Sequence, residues 1–156
     1  MLESDLNTRS ILTGVLESLR QGVAIFSTDR KLLYINAAMA EVTGGSTQNI
    51  GGALEKLSER HRLRTEDGKP LDTKDFPIEK AFAGEETFDK PFLYIDVNDD
   101  HIWLSVSCFR VLDEDGRLLY VVCTISNISS RKMREDHLRF IVEAAKILSL
   151  TADLQK

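Results

Sequence analysis

The chain has 156 residues, of which 42% are hydrophobic, so one domain with a sizeable core and short appendages is expected. Its formal net charge of −5 makes nucleic acid a poor partner and leaves no basic patch for anionic lipid. No apolar run approaches the ~20 residues of a spanning helix, so no membrane insertion is expected. An acidic N-terminus unlike a secretory signal, and two cysteines within strand patterns, predict a reducing, cytoplasmic location.

The first elements predicted are a helix and a tight β-hairpin. Apolar residues recur at helical spacing over residues 5–20, which predicts an amphipathic helix. Two short apolar runs, residues 22–28 and 31–35, flank a turn at Asp29-Arg30 and predict paired strands. Asn36 can then cap a short helix over residues 37–42. The apolar stripe of the first helix consists of Leu12, Val15, Leu16 and Leu19.

The middle of the chain predicts short helices, a polar loop and a third strand. A turn or helix is expected over residues 46–52 and another helix over residues 53–60. The polar stretch 60–74 has turn residues and predicts a loop. Pro77 suits the first position of a helix that Gly84 closes, and residues 86–97 predict a strand. The acids of this region, Asp67, Asp72, Asp75 and Glu79, are interpreted as solvated surface.

The last third predicts a long β-hairpin that continues into a helix. Apolar and polar residues alternate from residue 104, Asp115-Gly116 supplies a turn, and a second apolar strand covers residues 118–125. A hairpin joined directly to an exit helix is typical of a sensor that passes a conformational change along its chain. The full order, α-ββ-ααα-βββ-α, predicts an α+β fold with a five-stranded antiparallel sheet, helices on one face, and flanking N- and C-terminal helices.

These elements resemble a PAS domain over about residues 10–132. The resemblance rests on four stretches in the family's order: GVAIFSTDRKLLYINAAMAEVTG, FPIEKAFAGEE, WLSVSCFRVLDEDGRLLYVV and NISSRK. The last is similar to the Asp-Ile-Thr-x-Arg-Lys junction that ends many PAS domains, with Asn127 for the Asp and Ser129 for the Thr. Because the family's Asp pairs with a basic group, the coupling here is expected to be weaker or to use neutral hydrogen bonds. The resemblance implies a non-catalytic sensory and dimerisation module, with the first strand central and beside the last.

The resemblance also bears on cofactors. A covalently photoreactive flavin needs a cysteine in an Asn-Cys-Arg-Phe-Leu-Gln helix, which this chain lacks, and Leu104, Val106 and Ile125 stand where polar groups would face a flavin ring. A haem needs an axial ligand, commonly His, on the helix before the third strand, and PIEKAFAG has none. No cofactor and no metal site are therefore expected. The three histidines, interpreted as surface residues, are His61, His101 and His137.

The closing hairpin supplies the candidate pocket wall. If Asp115-Gly116 is a two-residue turn, Cys108 and Cys123 lie opposite each other, either as a redox pair or, as we favour, as small core hydrophobes. The wall either fills the interior, or binds a small apolar or weakly polar metabolite between sheet and helices. Its residues are Phe26, Leu104, Val106, Cys108, Val121, Cys123 and Ile125. The sequence has no catalytic constellation that would favour an enzyme.

The exit helix has a heptad seam and therefore needs an apolar partner. That partner is either the sheet of its own domain or the same helix of a second chain, and a homodimer is expected. Residues 141–154 also resemble the first helix of a GAF domain, so an output domain such as a GAF, kinase or phosphatase is expected to follow. The predicted divisions are an N-terminal helix (1–20), a PAS domain (21–129) and a signalling helix (130–156). The seam residues are Leu138, Ile141, Ala145 and Leu148.

Two functions from different classes remain open at this point. The first is a regulatory sensor module that couples a small-molecule signal or its dimer state to a C-terminal output. The second is an interaction and homodimerisation module with a filled core and no ligand. Detection of a bound small molecule in the purified protein would separate them.

Overall fold

One antiparallel sheet organises the described part of the chain, which in this computed structural model comprises residues 2–44, 52, 62–96 and 98–155. The six strands found there have the spatial order β2-β1-β6-β5-β4-β3. They are β1 (Gly22–Phe26), β2 (Leu32–Ile35), β3 (Arg62–Arg64), β4 (Thr87–Ile95), β5 (His101–Leu112) and β6 (Leu118–Asn127). The helices are α1 (Leu2–Ser18), α2 (Ala37–Thr43), α3 (Pro77–Phe82) and α4 (Ser129–Leu154), with a 3₁₀ turn at Thr73–Asp75.

The predicted α+β class is confirmed, but the predicted number of strands is wrong. The additional strand, β3, lies in the stretch interpreted as a polar loop and pairs with β4, with Leu63 opposite Tyr94. Leu63 packs against the core while its two arginine neighbours are more polar positions, so three residues give too short a pattern to detect. With β3 added, β1 still lies beside the last strand, as predicted, but β5 and β6 occupy the centre of the sheet.

The first helices follow their capping signals. Asn36 caps α2 by accepting a hydrogen bond from the Met39 amide, and Gly44 ends the helix at φ 64°, a conformation that glycine adopts without penalty. The first helix, α1, begins and ends slightly earlier than predicted. The predicted segments 46–52 and 53–60 lie outside the described residues apart from Gly52.

The closing hairpin reaches the predicted pairing by a different turn. Asp113 and Arg117 close a three-residue loop in which Gly116 has φ 78°. The predicted two-residue turn is therefore wrong. A bulge then leaves Leu119 without a direct partner, because Val111 pairs with Tyr120 and Leu112 with Leu118. The bulge offsets the extra loop residue and restores the predicted register further along the hairpin.

The core lies between one face of the sheet and the two short helices α2 and α3. Helix α2 packs on β1 and β6, and α3 packs on β4, β5 and β6. Complete burial of a Val, Leu, Ile or Phe side chain contributes about 1.5–3 kcal/mol, so this layer carries much of the fold's stability. The buried helix residues that face the sheet are Met39, Ile78 and Ala81, with Phe76 directly before α3.

Candidate functional site: core wall and helix junctions

The predicted pocket wall is assembled on the core face of three neighbouring strands. Six of its seven side chains are buried, and Cys123 is half-buried and packs against them. Phe26 lies opposite Val121, and Val106 lies opposite Ile125. The wall packs in one cluster with Phe76 and residues of α2 and α3. The common face is as predicted, while the role of these residues as a ligand pocket stays a prediction.

Cys108 and Cys123 lie directly opposite each other across the closing hairpin, as predicted. Both are free thiols. A hydrogen bond with Cys123, together with burial, raises the pKa of the Cys108 thiol well above its usual range. Because the thiolate is the reactive form, this environment favours the core interpretation over the redox interpretation.

A surface cleft of about 790 Å³ lies beside the core, between the stretch that the sequence predicted as a loop and residues of α3 and β4. Its floor includes Leu71, Pro91 and Phe92. Negative carboxylates and positive ammonium groups both line it, among them those of Glu66 and Lys80. None of its lining residues belongs to the predicted pocket wall.

Glu79 corrects the interpretation of the acidic residues as solvated surface. Its carboxylate forms an ion pair with Arg30 from the β1–β2 turn, and its side chain is only 14% exposed. The Arg30 guanidinium also lies 4.8 Å from the centre of the Phe82 ring. Sequence could not reveal this pair because 49 positions separate its members. The pair holds the β1–β2 turn against α3.

Asn36 fixes the end of α1 to the sheet. Its Oδ1 accepts hydrogen bonds from the amides of Val23 (2.9 Å) and Met39 (3.0 Å). Its Nδ2 donates to the carbonyl oxygens of Leu16 and Gln21, both at 2.9 Å. With a side chain that is 1% exposed, this one amide joins α1, β1 and α2. Sequence reasoning identified the cap but missed the tether to α1.

Glu17 adds a second attachment at the same place. One carboxylate oxygen accepts from the Tyr34 hydroxyl (2.5 Å) and the other from the Ala37 amide (3.1 Å), at the start of α2. Partial burial, followed by the hydrogen bond to Glu17, raises the pKa of Tyr34 to about 12. Three predicted stripe residues of α1 nevertheless remain 40–58% exposed, namely Leu12, Val15 and Leu19.

The start of α4 is attached to β5 at Trp103. The Ile128 amide donates to the Trp103 carbonyl (2.8 Å), and the Trp103 amide donates to Ser129 Oγ (3.0 Å). Asn127 Oδ1 accepts from the Ser129 amide (3.0 Å). Neutral hydrogen bonds therefore hold this junction, which was one of the two alternatives predicted for it. Lys132, one turn into the helix, adds a charged contact with Glu66.

Beyond its first turns, α4 leaves its apolar seam uncovered. The described residues of this helix include none that is buried. Leu138 is 62%, Ile141 49% and Leu148 71% exposed, and Ala145 is also exposed. The sheet of its own domain therefore does not cover the seam, which was one of the two partners expected for it.

Both long helices leave the sheet at the same end. Gly22, which begins β1, pairs with Ile125 near the end of β6. Gln21 also reaches across, and its Nε2 donates to Thr124 Oγ1 at 3.3 Å. Since β1 and β6 are antiparallel neighbours, the end of α1 and the start of α4 are neighbours too.

Comparison with protein families matches a model described as PAS fold over residues 16–133, well over half of the chain. The chain belongs to the PAS fold family. PAS domains are generally sensory modules and not catalysts. The match covers the end of α1, the whole sheet and the start of α4, so both junctions lie within the PAS domain. A comparison with curated proteins finds no significant match.

Solved structures at low identity share this PAS fold. An RNA-binding light-oxygen-voltage receptor is 17% identical with TM-score 0.58, and the match covers 86% of this chain but only 37% of that one. The PAS domain of an HTR-like protein from Haloarcula marismortui is 14% identical with TM-score 0.54, covering 81% and 96%. A light-oxygen-voltage domain studied with a flavin analogue is 16% identical with TM-score 0.55, covering 86% and 93%. At these identities the likeness concerns the fold alone.

Two further findings concern metals and membranes. Among the described residues of this PAS domain, no three His, Cys, Asp or Glu side chains are grouped so that they could hold a metal ion. None of the helices within the described ranges combines the length and the apolar character needed to cross a bilayer.

Proposed function

We propose that this PAS domain is a non-catalytic regulatory module that forms a homodimer and passes a change in its core or its dimer state through α4 to a C-terminal output domain. One observation carries the proposal: α4 is anchored to the sheet at its first turn and then presents an uncovered heptad seam. A helix of this kind is stable in water only with a partner along its seam.

A second copy of the chain is the partner that fits best. The stripe of α1 is exposed as well, and the two helices start from adjacent strands, so a two-fold axis near this end of the sheet could bring both into one interface. The proposal keeps the division into residues 1–20, 21–129 and 130–156. It places a GAF, kinase or phosphatase domain after the exit helix.

The proposed partners exclude nucleic acid and membrane. Although one structural neighbour is an RNA-binding receptor, a net charge of −5 opposes binding to a polyanion. A reducing, cytoplasmic setting is part of the proposal and is supported by the two free thiols on the closing hairpin.

The runner-up is an interaction module with a filled core and no ligand. The observation that favours it is the packing of all seven wall residues in or against one apolar cluster. Native mass spectrometry and absorbance of freshly purified protein separate the two. A bound small molecule favours the sensor, and a native mass made up of protein chains alone favours the interaction module. In either case the protein should be colourless, because visible colour would belong to a flavin or haem and not to the chain.

Sedimentation velocity tests the dimer. The wild type should sediment as a dimer at tens of micromolar, where a Kd near 1 μM corresponds to about −8 kcal/mol. Ile141→Asp places a carboxylate in the seam and should shift the protein towards monomer. Leu150→Asp is the matched control, because Leu150 is also exposed (66%) but lies on the opposite side of the helix. A monomeric wild type, or equal effects of the two variants, would contradict a dimer through this seam.

A further inference from the structure

The first turn of α4 has a charged contact in addition to the neutral hydrogen bonds at Trp103. Lys132 Nζ lies 2.6 Å from Glu66 Oε1 and 4.9 Å from the centre of the Trp103 ring. The Lys132 side chain is only 14% exposed, although lysine normally lies in water. The Lys132 side chain is therefore mostly covered, and its ammonium group has a carboxylate on one side and an aromatic face on the other.

Glu66 is carried by a short, well-formed turn, Thr65–Lys69. The Thr65 amide donates to the Lys69 carbonyl (2.8 Å), and the Gly68 amide donates to the Thr65 carbonyl (2.9 Å). Gly68 has φ 85°, which a residue with a side chain rarely adopts. The turn follows β3 directly, so the pairing of β3 with β4 sets its position.

The same turn forms one wall of the surface cleft. Thr65, Glu66 and Lys69 all line the cleft, together with residues of α3 and β4. Glu66 therefore lies between the cleft and the exit helix. A displacement of the turn therefore changes both the shape of the cleft and the contact between Glu66 and Lys132.

We propose that the Thr65–Lys69 turn is a control point for the exit helix: Glu66 holds Lys132 against Trp103, and displacement of the turn loosens the first turn of α4. The contact of Glu66 with Lys132 holds the first turn of α4 whatever the domain does, whereas its use in regulation rests on the proposed signalling role of α4. The element that exerts this control, β3 with its turn, is the part of the sheet that the sequence pattern did not predict.

The contact differs from an ordinary surface ion pair. Exposed pairs contribute little because both groups stay hydrated, and Glu66 alone, at 60% exposure, would fit that description. Lys132 does not fit it, since its side chain is mostly covered. Its ammonium group lies against Trp103, whose carbonyl accepts from the Ile128 amide and whose own amide donates to Ser129 Oγ. Loss of Glu66 removes the carboxylate that fixes the Lys132 ammonium group over the Trp103 ring.

Hydrogen exchange and Trp103 fluorescence test the proposal directly. The Lys132 amide donates to the Ile128 carbonyl (2.9 Å), so its exchange rate reports opening of the first turn. Trp103 is the only tryptophan of the chain, so its emission reports the same place. Glu66→Gln should lower protection of this amide about two- to fivefold and make Trp103 more accessible to acrylamide.

Three further variants separate the control point from general destabilisation. Lys132→Met should act as Glu66→Gln does, and adding it to Glu66→Gln should cost little more, because both remove one interaction. Lys132→Arg should retain protection, since arginine also stacks on Trp103 and pairs with a carboxylate. Arg131→Met is the matched control, because it removes a neighbouring charge that pairs instead with Glu135 (3.6 Å).

Each outcome decides the proposal. Wild-type protection and emission in Glu66→Gln would overturn it, as would equal losses in Arg131→Met. Slow-exchanging amides of β5 and β6 should be unchanged in Glu66→Gln, and their loss as well would overturn a local role. Glu66→Gln leaves the seam of α4 unchanged, so variant and wild type are compared at the same oligomeric state. A monomeric wild type would therefore sink the proposed dimer and leave this comparison standing.

Discussion

Replacement of Asn36 by Ala gives the sharpest test of how the PAS domain holds its N-terminal helix. The substitution removes four hydrogen bonds from a side chain that is 1% exposed. The Val23 amide would be left buried without this acceptor, at a cost of about 1–3 kcal/mol. Loss of the cap on α2 adds about 1 kcal/mol. The two carbonyl oxygens near α1 lose donors but lie closer to water, and each adds about 0.5–1 kcal/mol.

The sum predicts that Asn36→Ala lowers the free energy of unfolding by about 3–6 kcal/mol, a large part of the stability of an ordinary domain. Urea unfolding followed by circular dichroism measures it, with the same slope expected for mutant and wild type. Asn7→Ala, at an exposed position of α1, is the control and should change stability by less than about 0.5 kcal/mol.

Asn36→Asp separates the donors from the acceptors of this side chain. A carboxylate keeps the two amide donors of Val23 and Met39 but faces the carbonyl oxygens of Leu16 and Gln21 without a proton to give. We therefore expect this variant to gain stability as the pH falls, because burial favours the protonated acid. A cost of Asn36→Ala below about 1 kcal/mol, or a pH-independent Asp variant, would refute the tether.

Three further predictions concern other parts of the domain. Gly22→Ala should lower stability by about 1–3 kcal/mol, because a Cβ there would lie 2.7 Å from the Ile125 side chain and 3.0 Å from the backbone of α2. Gly14→Ala has open space around it and should stabilise α1 by about 0.5–1 kcal/mol. Thermal unfolding compares the two variants. Cys108→Ser should cost about 1–3 kcal/mol if the hydroxyl finds no partner, and native thiol titration should label both cysteines slowly; fast labelling would favour the redox pair. Stability should fall as the pH rises from about 10 towards 12, since unfolded tyrosine ionises before Tyr34 does, and Tyr34→Phe should lose less.

The sequence predicted the elements whose side chains repeat with a clear period. The closing hairpin alternates over long strands, and the cap at Asn36 with Gly44 marks both ends of α2, so local chemistry determines these elements. The pairing of Cys108 with Cys123 was also predictable, although the turn proposed for it was wrong. The bulge at Val111 and Leu112 offsets the extra residue of the loop, so Cys108 and Cys123 still pair. The buried face therefore constrains the register more strongly than the turn does.

Contacts between charged residues of distant segments were not predictable. Glu79 looks like a solvated acid in the sequence and is instead paired with Arg30. Lys132 looks like a surface lysine of a helix and is instead held between Glu66 and an aromatic ring. Charged side chains carry the same local pattern in both situations, and only the fold decides which segments meet. Whether the pocket wall encloses a cavity was not predictable for a different reason. Alternating apolar residues predict which side chains share a face of the sheet, but not how much space lies in front of that face.

The two junctions differ in chemistry, and the difference bears on which helix can move. Helix α1 is fixed by the buried amide of Asn36, which donates to the Leu16 carbonyl oxygen, and by Glu17, which accepts from the Tyr34 hydroxyl and the Ala37 amide. Helix α4 is fixed by hydrogen bonds at Trp103 and by an ion pair whose acid, Glu66, is largely in water and open to screening by salt. We therefore propose that rising salt concentration loosens the start of α4 more than the end of α1. Under the proposed signalling role, a displacement of the Thr65–Lys69 turn would reach α4 directly through Glu66 and Lys132, and this contact supports the proposal of a C-terminal output.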